Sequence, residues 1–461
     1  MIDLFNTIEI IDKALSTFTA NDVIFLGKGI PSLIPTRVLE HEPLIFVTES
    51  GLVGKWTISN EPTNTEDSNG NYVTLTNGSV VMGSSEIAEI ITGRHIQKYI
   101  TCPDKIDTYG SFVMKEHGLG FNESLTRFVD DIICVMHLLD DEGNSNFVQT
   151  LDDNRIKFTG TGTIITEIAV FKFSPQGLKV TELIPDLSLK DLQIKIGIEI
   201  EQDPDMIPME IPKRCPLGVI DKIFKSGEEA LNDVPDGAVV MIDGFAGPGG
   251  MAHHLLVSLR DQGAKNLTII SNTAGIARVV NFGTPPGKLV IDHSILIDNK
   301  QVKKAIASYP VSPSSSNPSS FELAYKAGEV ELELVPQGTL AERLRAGGAG
   351  VESFYTPTGA GTLIAEGKDS KIINGKEYIR ETGLKADFCV IRGHQADALG
   401  NVTYKGTSRN FNAVMAPSAT ITVVEVDEVV PTGTLDPESI VTSGMFVDRI
   451  VIRPKNFSPY E

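Results

Sequence analysis

One glutamate of the sequence lies at a position where open α/β sheets commonly carry active-site residues. The apolar run 44–47 predicts a buried strand, and it is followed by Thr48, Glu49, Ser50 and Gly51. Ligands of open α/β sheets bind outside the carboxyl ends of strands, so a carboxylate at this point is well placed for catalysis. A neighbouring glycine lets a substrate approach closely. From position alone, an ordinary surface charge at a strand end is the alternative.

A glycine-rich turn in the second half could bind an anion. Residues 243–250 (DGFAGPGG) follow a predicted strand and precede a predicted helical segment. Free backbone N–H groups and the positive end of a helix dipole suit an anion or a developing oxyanion, which makes Gly247, Gly249 and Gly250 candidate donors. The spacing is neither a dinucleotide fingerprint nor a P-loop. A tight structural turn is the alternative.

Two adjacent histidines open that helical segment. On a helix, His253 and His254 point ~100° apart, so they cannot share one metal ion, and no metal site is expected. His253, if it faces the glycine-rich turn, is a candidate donor to an oxyanion. A capping or surface histidine is the alternative. Further along, residues 343–350 (RLRAGGAG) combine two arginines with a glycine run and could contact phosphates.

Composition limits the classes of partner. The 461 residues include 60 acidic and 40 basic side chains, a formal net charge of −20, which argues against nucleic acid. No apolar run approaches the ~18 residues of a membrane helix, and the N-terminus has no signal-peptide pattern. We therefore expect a cytoplasmic protein with no membrane partner. The four cysteines form no CxxC pair, which predicts reduced thiols.

Apolar runs alternate with helix-length segments along the chain, a pattern that predicts open, mostly parallel α/β sheets. The predicted strands are 23–26, 44–47, 132–139, 167–173, 238–242, 267–271, 288–291, 388–391 and 421–426. The proline-rich residues 203–215 predict a linker between domains at 1–202 and 216–461. Polar residues 61–72 predict a surface loop, and 310–320 (PVSPSSSNPSS) predict a flexible one.

The second half contains the motifs of a known family. VELELVPQGTLAERLRAGGAGVESFYTPTGAGT (330–362), ADFCVIRGHQADALGNVTYKGTSRNFNAVMA (386–416) and TVVEVDEVV with LDPESIVTSGMFVDRIV resemble the α-type subunit of family I CoA-transferases, the succinyl-CoA:3-oxoacid group. The resemblance extends over residues 216–453. It implies an α-subunit-like CoA-transferase domain in this half.

The first half resembles the β-type subunit of the same family. LGKGIPSLIP (26–35) is similar to its Leu-Gly-Ile-Gly-Ile-Pro stretch, FVTESGLVG (46–54) to its Ser-Glu-Asn-Gly motif, and TGTIITEIAVFKFSPQGLKVTEL (161–183) to its closing strands. In that family the glutamate of Ser-Glu-Asn-Gly is the covalent nucleophile, and the matching residue is Glu49. The resemblance also implies CoA contacts by glycines of both halves: Gly27, Gly29, Gly51, Gly118, Gly120, Gly347, Gly348 and Gly350.

The sequence departs from the family pattern at several sites. The family's Gly-Gly-Ala-Met-Asp-Leu segment, which helps to hold CoA, is replaced by residues 118–122. Phe25 stands where the family has asparagine. His253 stands where an oxyanion-type asparagine would lie. Residues 308–320 replace a Ser-Tyr-Val-Gly loop. These changes put the acyl substrate and the mode of CoA binding in question.

The resemblance implies a ping-pong transfer of CoA from an acyl-CoA, succinyl-CoA or similar, to a short-chain carboxylate or 3-oxoacid through a glutamyl-CoA thioester on Glu49. This places the protein in ketone-body or short-chain fatty acid metabolism. CoA is then a substrate, no permanently bound cofactor is expected, and a homo-oligomer, dimer or tetramer, is expected. An acyl-CoA hydrolase on the same scaffold and a non-catalytic ligand sensor are the alternatives.

Overall fold

The structure is a computed structural model that describes residues 4–114, 121–151, 156, 160–210, 216–218, 220–242, 244–245, 250–280 and 284–461. The chain divides into two compact units, Met1–Ile220 and Asp221–Glu461. No helix within these described ranges is long and apolar enough to cross a membrane.

The first unit is built on a ten-stranded sheet with the strand order β15-β14-β13-β12-β10-β7-β1-β2-β3-β6. Its strands are β1 (Val23–Leu26), β2 (Ile45–Val47), β3 (Leu52–Gly54), β4 (Trp56–Ile58), β5 (Val73–Leu75), β6 (Val80–Val81), β7 (Lys98–Thr101), β8 (Lys105–Asp107), β9 (Phe112–Val113), β10 (Asp131–Val135), β11 (Phe147–Val148), β12 (Thr161–Ile165), β13 (Ala169–Ser174), β14 (Gly177–Leu183) and β15 (Glu201–Pro208). Its helices are α1 (Thr7–Leu15), α2 (Ser84–Thr92), α3 (Phe121–Phe128) and α4 (Leu189–Ile196).

The centre of this sheet is parallel and its flanks are mixed. Strands β12, β10, β7, β1 and β2 run parallel to one another, whereas β3, β6 and β13 pair antiparallel with their neighbours. All four residues of β1 are buried, as expected for a parallel strand that is covered on both faces. The carboxyl ends of β1, β2 and β7 therefore meet at one edge of the sheet.

The predicted linker is partly wrong. Residues 203–208 form most of β15, which pairs in parallel with β14 at the end of the sheet. Proline cannot donate to a strand ladder, but it is tolerated on an edge strand, where one side of the backbone has no neighbour. Most side chains of β15 are exposed, which is why this strand resembles a linker in sequence. Residues 211–215 lie outside the described ranges, and the two units divide after Ile220.

The second unit is built on an eight-stranded sheet, order β16-β29-β27-β24-β17-β18-β19-β20, in which every neighbouring pair is parallel. Its strands are β16 (Ile223–Phe224), β17 (Val239–Ile242), β18 (Leu267–Thr273), β19 (Val302–Tyr309), β20 (Glu331–Leu334), β21 (Ser353–Thr356), β22 (Ser370–Ile373), β23 (Lys376–Thr382), β24 (Ala386–Arg392), β25 (Gln395–Asp397), β26 (Val402–Thr403), β27 (Ala419–Val426), β28 (Glu428–Val430) and β29 (Arg449–Ile452). Its helices are α5 (Gly227–Ala230), α6 (His253–Gln262), α7 (Ala277–Val280), α8 (Ser294–Asp298), α9 (Ser320–Lys326), α10 (Gln337–Gly348) and α11 (Asn412–Met415).

Two apolar clusters cover the faces of this second sheet. One contains Leu255, Leu256 and Leu259 of α6, and the other contains Leu340 and Leu344 of α10. Helices on both faces of a parallel sheet are the doubly covered α/β arrangement that the alternating pattern predicted. The fold class predicted from the sequence is confirmed.

Eight of the nine predicted strands are present, with shifted ends. The exception is 288–291, where only Val290 makes an isolated antiparallel bridge, to Tyr460. Val290 and Ile291 are buried, so their apolar character serves packing and not a strand ladder. The predicted strand 132–139 ends at Val135.

Candidate active site

Glu49 lies in the tight turn that joins β2 to β3. The Gly51 N–H donates to the carbonyl of Thr48 over 3.2 Å, and the hydroxyls of Thr48 and Ser50 are hydrogen-bonded at 2.8 Å. Gly51 has φ +93°, and a Cβ there would lie 2.2 Å from the Met82 carbonyl oxygen. Only glycine fits this turn, and the turn fixes where the Glu49 backbone leaves the sheet.

The Glu49 carboxylate lies beside a lysine from the neighbouring strand. Lys28 follows β1, and its Nζ is 3.8 Å from Glu49 Oε1. The two side chains are 30% and 19% exposed, so the pair is half-buried and open to solvent on one side. They meet because β1 and β2 are adjacent and parallel, which brings the residues after both strands to the same edge.

Hydrogen bonds fix the loop that contains Lys28 on both sides of this residue. The Gly27 N–H donates to the Ile100 carbonyl over 2.8 Å, and the Gly29 N–H donates to Asn69 Oδ1 over 2.7 Å. Asn69 Nδ2 in turn donates to the Gly29 carbonyl over 3.2 Å and to Ser32 Oγ over 2.6 Å. Asn69 belongs to the predicted surface loop, so that loop contributes to the candidate site.

A cleft of about 630 Å³ opens next to this loop. Its lining residues are Lys28, Gly29, Ser68, Asn69, Gly70, Cys102, Asp104 and Met114. A narrower cavity beside it is lined by Phe25, Leu26, Gly27, Lys28, Glu49, Met114, Phe121 and Asn122. Lys28 and Met114 line both, so the lysine lies between the carboxylate and the cleft.

Two further groups at this edge bear on the chemistry of Glu49. Burial raises the pKa of the Cys102 thiol, and the nearby Asp104 charge adds to that effect. Since the thiolate is the nucleophilic form, Cys102 is a poor rival to Glu49. Tyr99 is buried, which raises the pKa of its hydroxyl, and that hydroxyl donates to Asn122 Oδ1 over 2.6 Å. The hydrogen bond orients Asn122, which lines the cavity at Glu49.

At the corresponding edge of the second unit, a fully buried carboxylate caps helix α6. The N–H groups of His254 and Leu255 donate to Glu425 Oε2 over 3.0 and 3.2 Å. Glu425 Oε1 is also hydrogen-bonded to Arg453 Nε, and Arg392 Nε lies 3.9 Å away. The positive end of the α6 dipole is therefore already neutralised from within the protein.

His253 lies inside this charged cluster. Its side chain is fully buried, and Arg453 donates to its Nδ1 over 3.3 Å, which places the imidazole proton on Nε2. Burial and the neighbouring Arg453 and Arg392 charges lower the pKa of His253 to about 3, so the ring is neutral. Nε2 has no hydrogen-bond partner among the residues that the structure describes. The expectation that His253 donates to a substrate stays a prediction.

The predicted glycine positions fall into different groups. Gly27, Gly29 and Gly51 lie at the Glu49 edge, whereas Gly118, Gly120, Gly247 and Gly249 lie outside the described ranges. Gly250 is buried, and its carbonyl accepts from Asn412 Nδ2 over 3.2 Å. Gly347 and Gly348 close-pack against Leu384 and Pro417, and exposed Gly350 has φ +68° just after α10. Their predicted contacts with CoA stay predictions.

Sequence comparison decides the family. A sequence model described as "Coenzyme A transferase" matches residues 224–453. A 3-oxoadipate CoA-transferase subunit of Pseudomonas putida is 42% identical over 233 residues, which is 50% of this chain and 94% of that protein. The chain belongs to the coenzyme A transferase family. It is thus an enzyme that transfers CoA, as its motifs predicted.

Two other coenzyme A transferases have a comparable sequence identity to this chain. A polypeptide of the succinyl-CoA:3-ketoacid coenzyme A transferase of Helicobacter pylori (strain J99) is 41% identical over 50% of this chain and 92% of that protein. The mouse mitochondrial succinyl-CoA:3-ketoacid coenzyme A transferase 2A is 40% identical over 56% of this chain and 50% of that protein. Among solved structures, glutaconate coenzyme A-transferase of Acidaminococcus fermentans is 20% identical over 50% of this chain and 76% of that chain, with a TM-score of 0.41.

The family match lies within the second unit of this coenzyme A transferase, whereas Glu49 lies in the first. The expected role of Glu49 therefore rests on its geometry and on the motif around it. Sequence inspection missed Lys28 and Asn69 as residues of the candidate site, and it named Asn122 only as part of the segment 118–122. The available signal for Lys28 was a charged side chain between two glycines directly after a buried strand.

Proposed function

We propose that this coenzyme A transferase moves CoA from an acyl-CoA to a carboxylic acid through a covalent glutamyl-CoA thioester on Glu49. The observation that supports the proposal most directly is the placement of Glu49. It is a partly exposed carboxylate, held on a tight glycine turn at the carboxyl edge of a parallel sheet, and it lines a narrow cavity next to the cleft. A nucleophile needs this combination of access and fixed position.

The reaction proceeds in two balanced halves. Glu49 attacks the acyl-CoA carbonyl, which gives a mixed anhydride and releases the CoA thiolate. The thiolate attacks the glutamyl carbonyl, which gives the glutamyl-CoA thioester and the free carboxylate of the first acid. A second carboxylate repeats these steps in reverse and leaves as its CoA thioester, and Glu49 regains its charge. Splitting the exchange in this way avoids one difficult direct step.

The substrates proposed are succinyl-CoA or a similar acyl-CoA as donor and a short-chain carboxylate or 3-oxoacid as acceptor. The names of the relatives from Pseudomonas putida and Helicobacter pylori support this choice. CoA enters as a substrate, and the proposal includes no permanently bound cofactor. A cytoplasmic homo-oligomer, dimer or tetramer, remains part of the proposal.

The direct test is the intact mass of the purified protein after incubation with a panel of short acyl-CoAs and no acceptor acid. We expect a gain equal to CoA less water on the peptide that contains Glu49. Glu49→Gln should give no adduct and lower turnover at least about 10³-fold, because a neutral amide is a poor nucleophile. Glu61→Gln, at an exposed position of the same unit, should behave as the unchanged protein.

The other outcomes separate the alternatives. Release of CoA without an adduct, and without any need for an acceptor acid, would indicate an acyl-CoA hydrolase. Absence of both adduct and release with every donor would contradict catalysis at Glu49 and favour a ligand sensor.

A further inference from the structure

An amide side chain shares the narrow cavity at Glu49. Asn122 lies near the start of α3 and lines this cavity together with Glu49. Among the described lining residues, only Asn122 and Lys28 have side chains that can donate a hydrogen bond. Lys28 also borders the wider cleft, whereas Asn122 lines only the narrow cavity of the two. Asn122 is therefore the donor that belongs to the space around the candidate nucleophile.

The amide of Asn122 is held in one orientation. Tyr99 is fully buried, and its hydroxyl donates to Asn122 Oδ1 over 2.6 Å. Burial raises the pKa of this hydroxyl and the negative charge of Glu49 adds to the effect, so the phenol stays protonated and remains a donor. Because Oδ1 accepts from Tyr99, the Nδ2 atom of Asn122 is the one left to donate to a group in the cavity.

Phe25 supports the ring that carries this hydroxyl. It lies opposite Tyr99 in the parallel pair of β1 and β7, and the two rings pack edge to face with their centroids 6.0 Å apart. Phe25 also lines the narrow cavity, at the position where the β-type pattern has asparagine. The aromatic residue thus removes one amide from the cavity wall and, through Tyr99, supports another.

The size of the cavity limits what Asn122 can contact. Its volume is about 10 Å³, the room of a single water molecule or oxygen atom. An acyl chain does not fit there, but one oxygen of the carbonyl group that forms on Glu49 does. Attack on that carbonyl makes the oxygen negative, and a preorganised N–H donor in a small, enclosed space stabilises such a charge strongly.

We propose that Asn122 is a catalytic residue whose Nδ2 donates to the negative oxygen that forms on the Glu49 side chain, and that Tyr99 is the positioning residue that orients the amide. This inference rests on the proposed function, because it assigns a donor to one step of that reaction. In this step the CoA thiolate forms a bond to the carbonyl carbon of the glutamyl anhydride, and the π electrons of the carbonyl move to its oxygen. When the carbonyl forms again, the bond to the first acid breaks, and that acid leaves as its carboxylate.

The test applies hydroxylamine to the preformed adduct. Enzyme that has formed the glutamyl-CoA thioester from succinyl-CoA is separated from excess donor and treated with hydroxylamine. The nitrogen attacks the glutamyl carbonyl, the proton that it loses goes to the departing sulfur, and a hydroxamate and free CoA result. This reaction forms the same negative oxygen without any acyl substrate, so its rate measures the donor directly. Turnover of succinyl-CoA with a 3-oxoacid is measured in parallel.

The proteins compared are the unchanged enzyme, Asn122→Ala, Tyr99→Phe and Asn144→Ala. Asn144 is the matched control, because it is exposed in a loop of the same unit. We expect Asn122→Ala to lower the hydroxylamine rate and kcat about 10²-fold and to change KM less than about 3-fold, the effect of losing one donor to an oxyanion. Tyr99→Phe should lower both rates about 10-fold, because the amide remains but can rotate. Asn144→Ala should change neither rate.

Two results would overturn the inference while leaving the proposed function intact. An unchanged hydroxylamine rate in folded Asn122→Ala would remove Asn122 from the reaction, and a raised KM with unchanged kcat would mean that it holds CoA. Thermal unfolding shows whether each variant is folded; if Asn122→Ala is not, kcat of Tyr99→Phe at unchanged KM decides the inference. Failure of the proposed function is recognised separately, because the unchanged enzyme then forms no adduct on Glu49 with any donor, and both proposals are wrong.

Discussion

The two units place ionised side chains at the same kind of sheet edge but use them differently. In the first unit, Glu49 and Lys28 lie at the carboxyl ends of β2 and β1 and are partly exposed, and Lys28 borders a cleft. In the second unit, Glu425, Arg453 and Arg392 lie at the carboxyl ends of β27, β29 and β24, and the carboxylate is fully buried. The first edge leaves charge accessible to a substrate, and the second uses charge to hold a helix.

The contrast separates the part of the chain that matches the family model from the part that contains the candidate nucleophile. The family match covers the second unit, where the charged residues satisfy one another and the backbone of α6. The candidate nucleophile lies in the other unit, on a tight turn. A charge that is already neutralised inside the protein stabilises structure, and a charge with solvent access is available for reaction.

The largest effect expected from this contrast is on stability, at Glu425. We expect Glu425→Gln to lower the free energy of unfolding by about 3–5 kcal/mol, because it leaves Arg453 and Arg392 buried without their shared carboxylate. Chemical denaturation measures it. Asp427→Asn is the control: Asp427 is 46% exposed and also pairs with Arg392, and its loss should cost less than about 1 kcal/mol. Equal costs for both variants would contradict the distinction between the two edges.

A smaller effect is expected at the turn of the first unit. Gly51→Ala must adopt a positive φ and overlaps the Met82 carbonyl, so we expect a loss of about 2–4 kcal/mol in unfolding free energy. It should also lower turnover, since it displaces Glu49. Gly143→Ala has a similar φ of +85° with open space around it, and only the conformational cost of about 1–2 kcal/mol should appear. Retention of full turnover by Gly51→Ala would show that the turn does not position Glu49.

The smallest effect concerns the pH dependence of stability in the second unit. His253 has a pKa of about 3 when folded against 6.5 as the ordinary value, so the unfolded chain binds a proton that the folded one does not. The stabilising contribution is present above pH 6.5 and is lost as the pH falls toward 3. Between about pH 7 and about pH 5 we expect a loss of about 2 kcal/mol in unfolding free energy that His253→Leu does not show. Parallel pH profiles for the two proteins would mean that His253 is not held neutral by its surroundings.

The fold was largely predictable because parallel strands buried on both faces are continuous apolar runs. Strand β1 is an example, with bounds predicted to the residue. The strand predicted at the apolar run 288–291 was wrong, because an apolar run indicates that residues are buried but not that a neighbouring strand is present. The linker predicted at residues 203–208 was wrong, because a polar, proline-containing sequence is also compatible with an exposed edge strand.

The site was predictable only in part. Glu49 could be placed because its position depends on a strand end and a local glycine turn. Its pairing with Lys28 could not be predicted, because the pairing depends on β1 and β2 being neighbours. Local sequence does not determine the order of strands in a sheet. The role of Glu425 had a signal that was overlooked: a charged residue in the buried second half of a strand must have partners there.

The side chain of Asn69 links the outer loop 61–72 to the loop that holds Lys28. Loops of this kind are usually regarded as free to vary in length and to be trimmed without consequence. Here the loop also forms one wall of the cleft through Ser68, Asn69 and Gly70. Shortening the loop, in evolution or by mutagenesis, would change the shape of the cleft while leaving every residue of the sheet in place.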